Sequence, residues 1–211
     1  IILDSVRRAK KFISSGDYAD LERDLNERVA RVEGEIAIAA TYIDNVNIRG
    51  RVIEYLITDN GSEIKKALVK ALREGTQIPI FKTADDLGDY SKDYCEFCTK
   101  TDIKTKVLYY DGNPKAYNID KLLKFLAMQK SVYMIYLLGI SEENSIIARL
   151  ISVFDGRLIK STRTIFHWAG RNSRGVAQFE GEGLKNILLE PIKPQVDEKL
   201  ALNFLEDLIR K

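Results

Sequence analysis

The apolar positions of this 211-residue chain change period part-way along it. Up to Gly75 they recur three or four residues apart, the spacing of one helix face; beyond it they mostly alternate, the spacing of a strand. Residues 2 to 15 and 18 to 46 predict a helical N-terminal region, with Leu21, Leu25, Val29 and Val32, then Ile36, Ala39, Ala40 and Ile43, inward. NIRGRVIEYLI begins another helix, and the turn DNG at 59 to 61 separates it from SEIKKALVKALREG. There Ser62 caps, Ile64, Ala67, Leu68, Ala71 and Leu72 form the stripe, and Gly75 stops the helix. QIPIF, YCEFC and TDIKTKVLYY then predict strands, with ADDLGDYSKD as a polar loop.

A turn at DGNP leads to a helix starting near Asn118, with Ile119, Leu122, Leu123 and Leu126 inward. The unbroken apolar run SVYMIYLLGI predicts a strand buried on both faces. IIARLISVFDGRLIKSTRTIFHW reads as a hairpin turning at Asp155-Gly156, EGEGLK at 180 to 185 as a turn, and DEKLALNFLEDLIRK as a C-terminal helix. The element order indicates an α/β fold, a mixed β-sheet core flanked by helices, with an N-terminal helical region and a C-terminal helix. We take residues 1–211 as a single domain: a helical region at 1–46, a core at 47–140, and the hairpin, a basic segment and the last helix at 141–211.

Composition narrows the class further. With 45% apolar and 30% charged residues and no low-complexity tract, the chain is suited to an ordered fold. Its longest apolar run, VYMIYLLGI, is too short to span a bilayer, and IILDSVRRAKK lacks the order of a signal peptide, so the expectation is a cytoplasmic protein. Cys95 and Cys98 form a CxxC, but a zinc site needs four ligands and His167 is the sole histidine of the chain. Two ordinary reduced cysteines are the simpler reading. One histidine also leaves little material for a serine triad.

The net charge of +2 conceals an asymmetry. Residues 1 to 100 hold 18 acids against 16 bases, and residues 101 to 211 hold 13 against 17. Between Asp155 and Glu180 stand Arg157, Lys160, Arg163, Arg171 and Arg174 with no acid among them. A local basic patch therefore says more than the total.

The chemistry begins at TDIKTKVL. Asp102, Lys104 and Lys106 alternate with Ile103, Thr105 and Val107, so the charges share one strand face. A solvated face is the ordinary fate of such alternation. Here the strand leads through a turn and a helix into a wholly apolar strand, which places it inside the sheet, where a carboxylate needs a partner or a metal and a lysine two residues away is suited to a reaction centre.

DIKTK, preceded by an acid-rich hairpin and followed by a helix and an apolar strand, resembles the PD-(D/E)xK nuclease superfamily, and type II restriction endonucleases in particular. The resemblance covers about residues 47 to 140, judged by element order. It implies that an Asp on one strand and an acid on the next bind Mg²⁺, while a Lys sits beside the attacking water. Asp102 and Lys104 match the acid-x-Lys part. For the first acid, a tight hairpin of residues 93–97 with 101–105 would set Asp93 opposite Asp102; Asp89 or Asp86 serves if the hairpin is longer. Lys92, not the family's Pro, precedes Asp93. Many members carry a helix Glu before the sheet, matched by Glu54, although its helical wheel puts it on the polar side. The implied catalytic set is Asp93, Asp102, Lys104 and Glu54, with Asp93, Asp102 and Glu54 holding Mg²⁺.

STRTIFHWAGRNSRGVAQFEG then reads as a recognition segment. Arg163, His167, Arg171, Asn172, Arg174 and Gln178 are its candidate DNA contacts, because Arg reads guanine and Asn or Gln reads adenine bidentately while cations meet phosphates. His167 and Trp168, beside Phe166, are equally suited to a core. The function so implied is a Mg²⁺-dependent, sequence-specific double-stranded DNA endonuclease acting as a homodimer, each subunit cutting one strand. A structure-specific repair or junction nuclease, or a nucleic-acid-binding module that does not cut, would share these features.

Overall fold

The computed structural model of the protein describes residues 1–58, 61–76, 89–110, 112, 114–167 and 174–210. Helices α1 (Asp4–Ile13), α2 (Gly16–Arg31) and α3 (Glu33–Tyr42) bury Val6, Ala9 and Phe12, then Leu21, Leu25 and Val29, then Ile36, Ala39 and Ala40. These spacings are the single-sided stripes expected of helices packed on one layer. Helix α4 (Val46–Ile57) starts where the Asn45 side chain accepts from the backbone N–H groups of Asn47 and Ile48. Helix α5 (Gly61–Glu74) ends at Gly75, whose φ of +62° is the left-handed stop that glycine adopts without strain.

Strands β1 (Asp89–Asp93) and β2 (Cys98–Val107) form an antiparallel hairpin. The chain then makes β3 (Lys115–Asn118) and α6 (Ile119–Leu126), the helix capped by Asn118, before β4 (Ser131–Ile140) runs parallel to β2. Strand β5 (Ile146–Ser152) is antiparallel to β4, giving a mixed sheet in the order β1-β2-β4-β5. Every residue of β4 is buried, as its apolar run predicted. Alternation divides it between two cores. Val132, Met134, Tyr136 and Leu138 meet the layer holding Phe12, Leu21, Leu25, Ile36 and Ile53; Tyr133, Ile135 and Leu137 meet Leu122, Leu126, Leu184, Leu188 and Leu205. The α/β class with a mixed sheet and flanking helices is borne out.

After β5 come α7 (Gly156–Lys160), β6 (Thr162–His167), β7 (Arg174–Phe179), α8 (Gly181–Leu189) and α9 (Glu198–Arg210). β3, β7 and β6 form a second, smaller sheet, tied to the first where Tyr117 packs between Phe179 and Tyr133. No helix among the described residues is long and apolar enough to cross a membrane.

Four local expectations are corrected. No hairpin turns at Asp155-Gly156, because the buried Asp155 carboxylate accepts from the Arg157 N–H and holds its guanidinium at 3.0 Å, nucleating α7 and sending β6 to the other sheet. YCEFC is the β1–β2 turn, closed by Tyr94 N–H donating to the Phe97 carbonyl and pinned by the buried Phe97 ring. Half of the expected polar loop is β1, and EGEGLK opens α8. QIPIF lies outside the described residues. Cys95, exposed, and Cys98, partly buried, are free thiols.

Candidate active site

The β1–β2 register decides which acids meet. Asp89 lies directly opposite Asp102, whereas Asp93 pairs with Cys98 and is exposed. The expectation for Asp93 is therefore wrong, and the longer hairpin, weighed from the sequence with Asp89, is the one formed. Its cause is Phe97: anchoring that ring in the core fixes a turn at residues 94–97, and each later pairing follows from it. Asp86 lies outside the described residues.

Asp89 and Asp102 side chains are 15% and 9% exposed, little enough that their charges are not dissipated in water. Each has an ammonium: Lys100 lies 3.1 Å from Asp89 and Lys104 3.0 Å from Asp102. The second Asp102 oxygen accepts from the Tyr133 hydroxyl at 3.4 Å. Burial, with the Asp102 charge across the ladder, pushes Asp89 up to about 6 despite Lys100 and Lys104. For Lys104, burial works against the charged form, but Asp102, Glu54 and Asp89 outweigh it and hold the ammonium firmly protonated.

Glu54 is inside this cluster and not on a solvated face. Strand β1 covers β2 only as far as Asp102; among the described residues no strand pairs with 103–107 on that edge. Helix α4 lies along it, and Glu54 Oε1 accepts from the Thr105 N–H at 2.9 Å while Thr105 Oγ1 reaches the Gly50 carbonyl at 3.4 Å. A wheel cannot show this, because the partner is the open edge of a strand. Burial raises the Glu54 carboxyl, opposed by Lys104, Lys115 and the Thr105 N–H.

No protein-family model, curated protein or solved structure matches the chain. Its chemistry must be argued from its own geometry. Among the described residues no three His, Cys, Asp or Glu side chains stand close enough to cage a metal ion. Mg²⁺ does not require such a cage, since it is commonly held by one or two carboxylates with waters and substrate phosphate. The Asp89–Asp102 pair has that form, and its mutual repulsion is what a divalent cation relieves, so these residues fit Mg²⁺.

Lys106 shares the strand face but is structural: fully buried, it donates to the carbonyls of Tyr110 and Gly112 and ties down the turn after β2. The recognition candidates are only partly described. Arg163 and Gln178 are ladder partners on β6 and β7, and His167 and Arg174 are partners further along; Arg171 and Asn172 lie outside the described residues. Arg163 pairs with Glu180, but both are well exposed, which leaves that contact weak and exchangeable.

The sequence reading missed Lys100, Lys115 and Tyr133 as neighbours of the site. Lys100 was within reach, being two residues before Asp102 on the same face. Lys115 and Tyr133 come from other strands and leave no local signal.

Gly50 lies on the face of α4 that meets β2. A Cβ there would meet Lys115 Nζ at 3.4 Å and Thr105 Cβ at 3.7 Å, ordinary contacts that need no movement. Since glycine inside a helix is unfavourable, Gly50→Ala is expected to raise unfolding stability by about 0.5–1 kcal/mol in a urea titration. A loss instead would show a tighter α4–β2 seam.

Proposed function

We propose that the chain is a Mg²⁺-dependent DNA endonuclease of the PD-(D/E)xK type, most like a type II restriction enzyme. The observation that carries this reading is the facing pair Asp89 and Asp102, with Lys104 two residues along β2 and Glu54 brought to the same strand edge. Hydrolysis of a phosphodiester makes one bond from water oxygen to phosphorus and breaks one ester P–O bond; the water proton ends on the departing oxygen. Mg²⁺ held by Asp89 and Asp102 would supply the Lewis acidity that polarises the phosphate and activates water. Lys104 places an ammonium where hydroxide and the growing phosphoryl charge are stabilised. Tyr133 and Lys104 together hold the Asp102 carboxylate in one orientation, so little reorganisation remains for the reaction. Glu54, fixed by the Thr105 N–H, can accept a hydrogen bond from the attacking water.

Recognition would fall to the β6–β7 ladder, where Arg163 and Gln178 stand opposite one another, one suited to guanine and the other to adenine. A homodimer would supply a second centre for the second strand. The test is incubation of mixed plasmid and linear DNA with Mg²⁺ and, separately, with EDTA. Discrete fragments in Mg²⁺ alone are expected. Nicks confined to junctions or flaps would move the reading to a repair nuclease, and binding without breaks to a module that does not cut.

A further inference from the structure

The second sheet sends one cation into this site. On β3, Lys115 and Tyr117 share the face whose partners on β7 are the fully buried Phe179 and Ala177, so the strand turns that side toward the first sheet. Tyr117 packs against Tyr133, the residue that donates to Asp102. Lys115 lies at the other end of the same short strand face, over α4. The point where a Gly50 Cβ would stand is 3.4 Å from Lys115 Nζ, 3.7 Å from Thr105 Cβ and 3.9 Å from Glu54 Oε1. Helix α4, strand β2 and strand β3 therefore converge beside residue 50.

A solvated strand lysine would have no reason to be held there. Burial, together with Lys104 and Arg51, disfavours its charge, and Glu54 is the group that opposes them. Charge counting shows what the placement achieves. Leaving aside Arg51, which is exposed to solvent, the ionised carboxylates of Asp89, Asp102 and Glu54 are balanced by Lys100, Lys104 and Lys115, so a divalent ion leaves the centre with two positive charges in excess. That matches the two negative charges of a phosphodiester to which hydroxide, formed by loss of a proton from the bound water, is adding. Without Lys115 the match is lost by one.

We propose that Lys115 is a substrate-binding cation of this centre, its ammonium contacting a non-bridging oxygen of the phosphate that is cut. The inference rests on the nuclease reading, and goes beyond it in assigning a phosphate contact to the second sheet. It also gives that sheet a double use: its inner face reaches the reacting phosphate while the β6–β7 ladder lies beside the bases.

The test uses Lys115→Gln, which keeps polarity but removes the charge, and Lys115→Arg, which keeps charge. Binding is measured with Ca²⁺ in place of Mg²⁺, on a fluorescent duplex spanning a cleavage position mapped with the parent. Lys115→Gln is expected to weaken binding about tenfold and to flatten the dependence of log affinity on log salt by about one unit, with Lys115→Arg restoring the slope. A duplex whose cleaved phosphate is a neutral methylphosphonate should lose affinity for the parent and lose several-fold less for Lys115→Gln. Equal salt slopes and equal methylphosphonate losses in parent and Lys115→Gln would overturn the assignment while leaving the nuclease reading intact. A parent that cuts no DNA with Mg²⁺ overturns both.

Discussion

Asp89→Asn and Asp102→Asn are expected to abolish Mg²⁺-dependent cleavage, while Asp93→Asn is expected to cut DNA at close to the parent rate. Within β1, Asp89 faces Asp102 across the ladder and Asp93 does not, so Asp89 and not Asp93 is placed to share an ion with Asp102. Loss of the several kcal/mol that a metal contributes to a phosphoryl transition state lowers the rate about a thousandfold or more. Single-turnover cleavage by the three variants decides the matter: a severe Asp93→Asn defect beside a mild Asp89→Asn one would show that the register in solution differs.

The same pair gives a signature without DNA. Asp89 titrates near 6 when folded and lower when unfolded, so raising the pH through that interval charges it at greater cost in the folded state. The metal-free parent therefore loses thermal stability relative to Asp89→Asn as pH rises from about 4 to 7. Mg²⁺ affinity is expected to run the other way, weakening below about 6 as Asp89 takes up its proton. Melting curves in EDTA and in Mg²⁺ across this range test both directions.

Lys104→Ala is expected to have the next largest effect. Removing the ammonium takes away stabilisation of hydroxide and of the developing phosphoryl charge, worth about 10²–10³ in rate. It also leaves Asp102, which is almost wholly buried, without its 3.0 Å partner. Breaking a buried pair costs about 3–5 kcal/mol, so the metal-free variant should be destabilised and Mg²⁺ should recover much of that loss. DNA binding in Ca²⁺ should change far less than the cleavage rate. Rapid-quench measurement at saturating enzyme separates the two, and a normal cleavage rate would make Lys104 a structural counter-ion only.

The helices and the buried strand were legible from the chain because their signals are local. Leu21, Leu25 and Val29 form a stripe whatever they pack on, Gly75 ends a helix through its own backbone freedom, and SVYMIYLLGI has no polar face to offer water. Asp102 and Lys104 were legible for the same reason, since strand alternation alone places them on one face. What tertiary structure decided was every relation between segments. Phe97 set the register that exchanged Asp93 for Asp89; the open edge of β2 drew in Glu54 through the Thr105 N–H; burial of Asp155 converted an apparent hairpin turn into a helix cap. Lys115, remote in sequence from Glu54, lies on the same side of Gly50 only because α4 and two sheets meet there. Local periodicity fixes which side of an element is apolar, but the partner across a gap depends on which buried side chain anchors the neighbouring segment, and that is settled only when all the segments pack together.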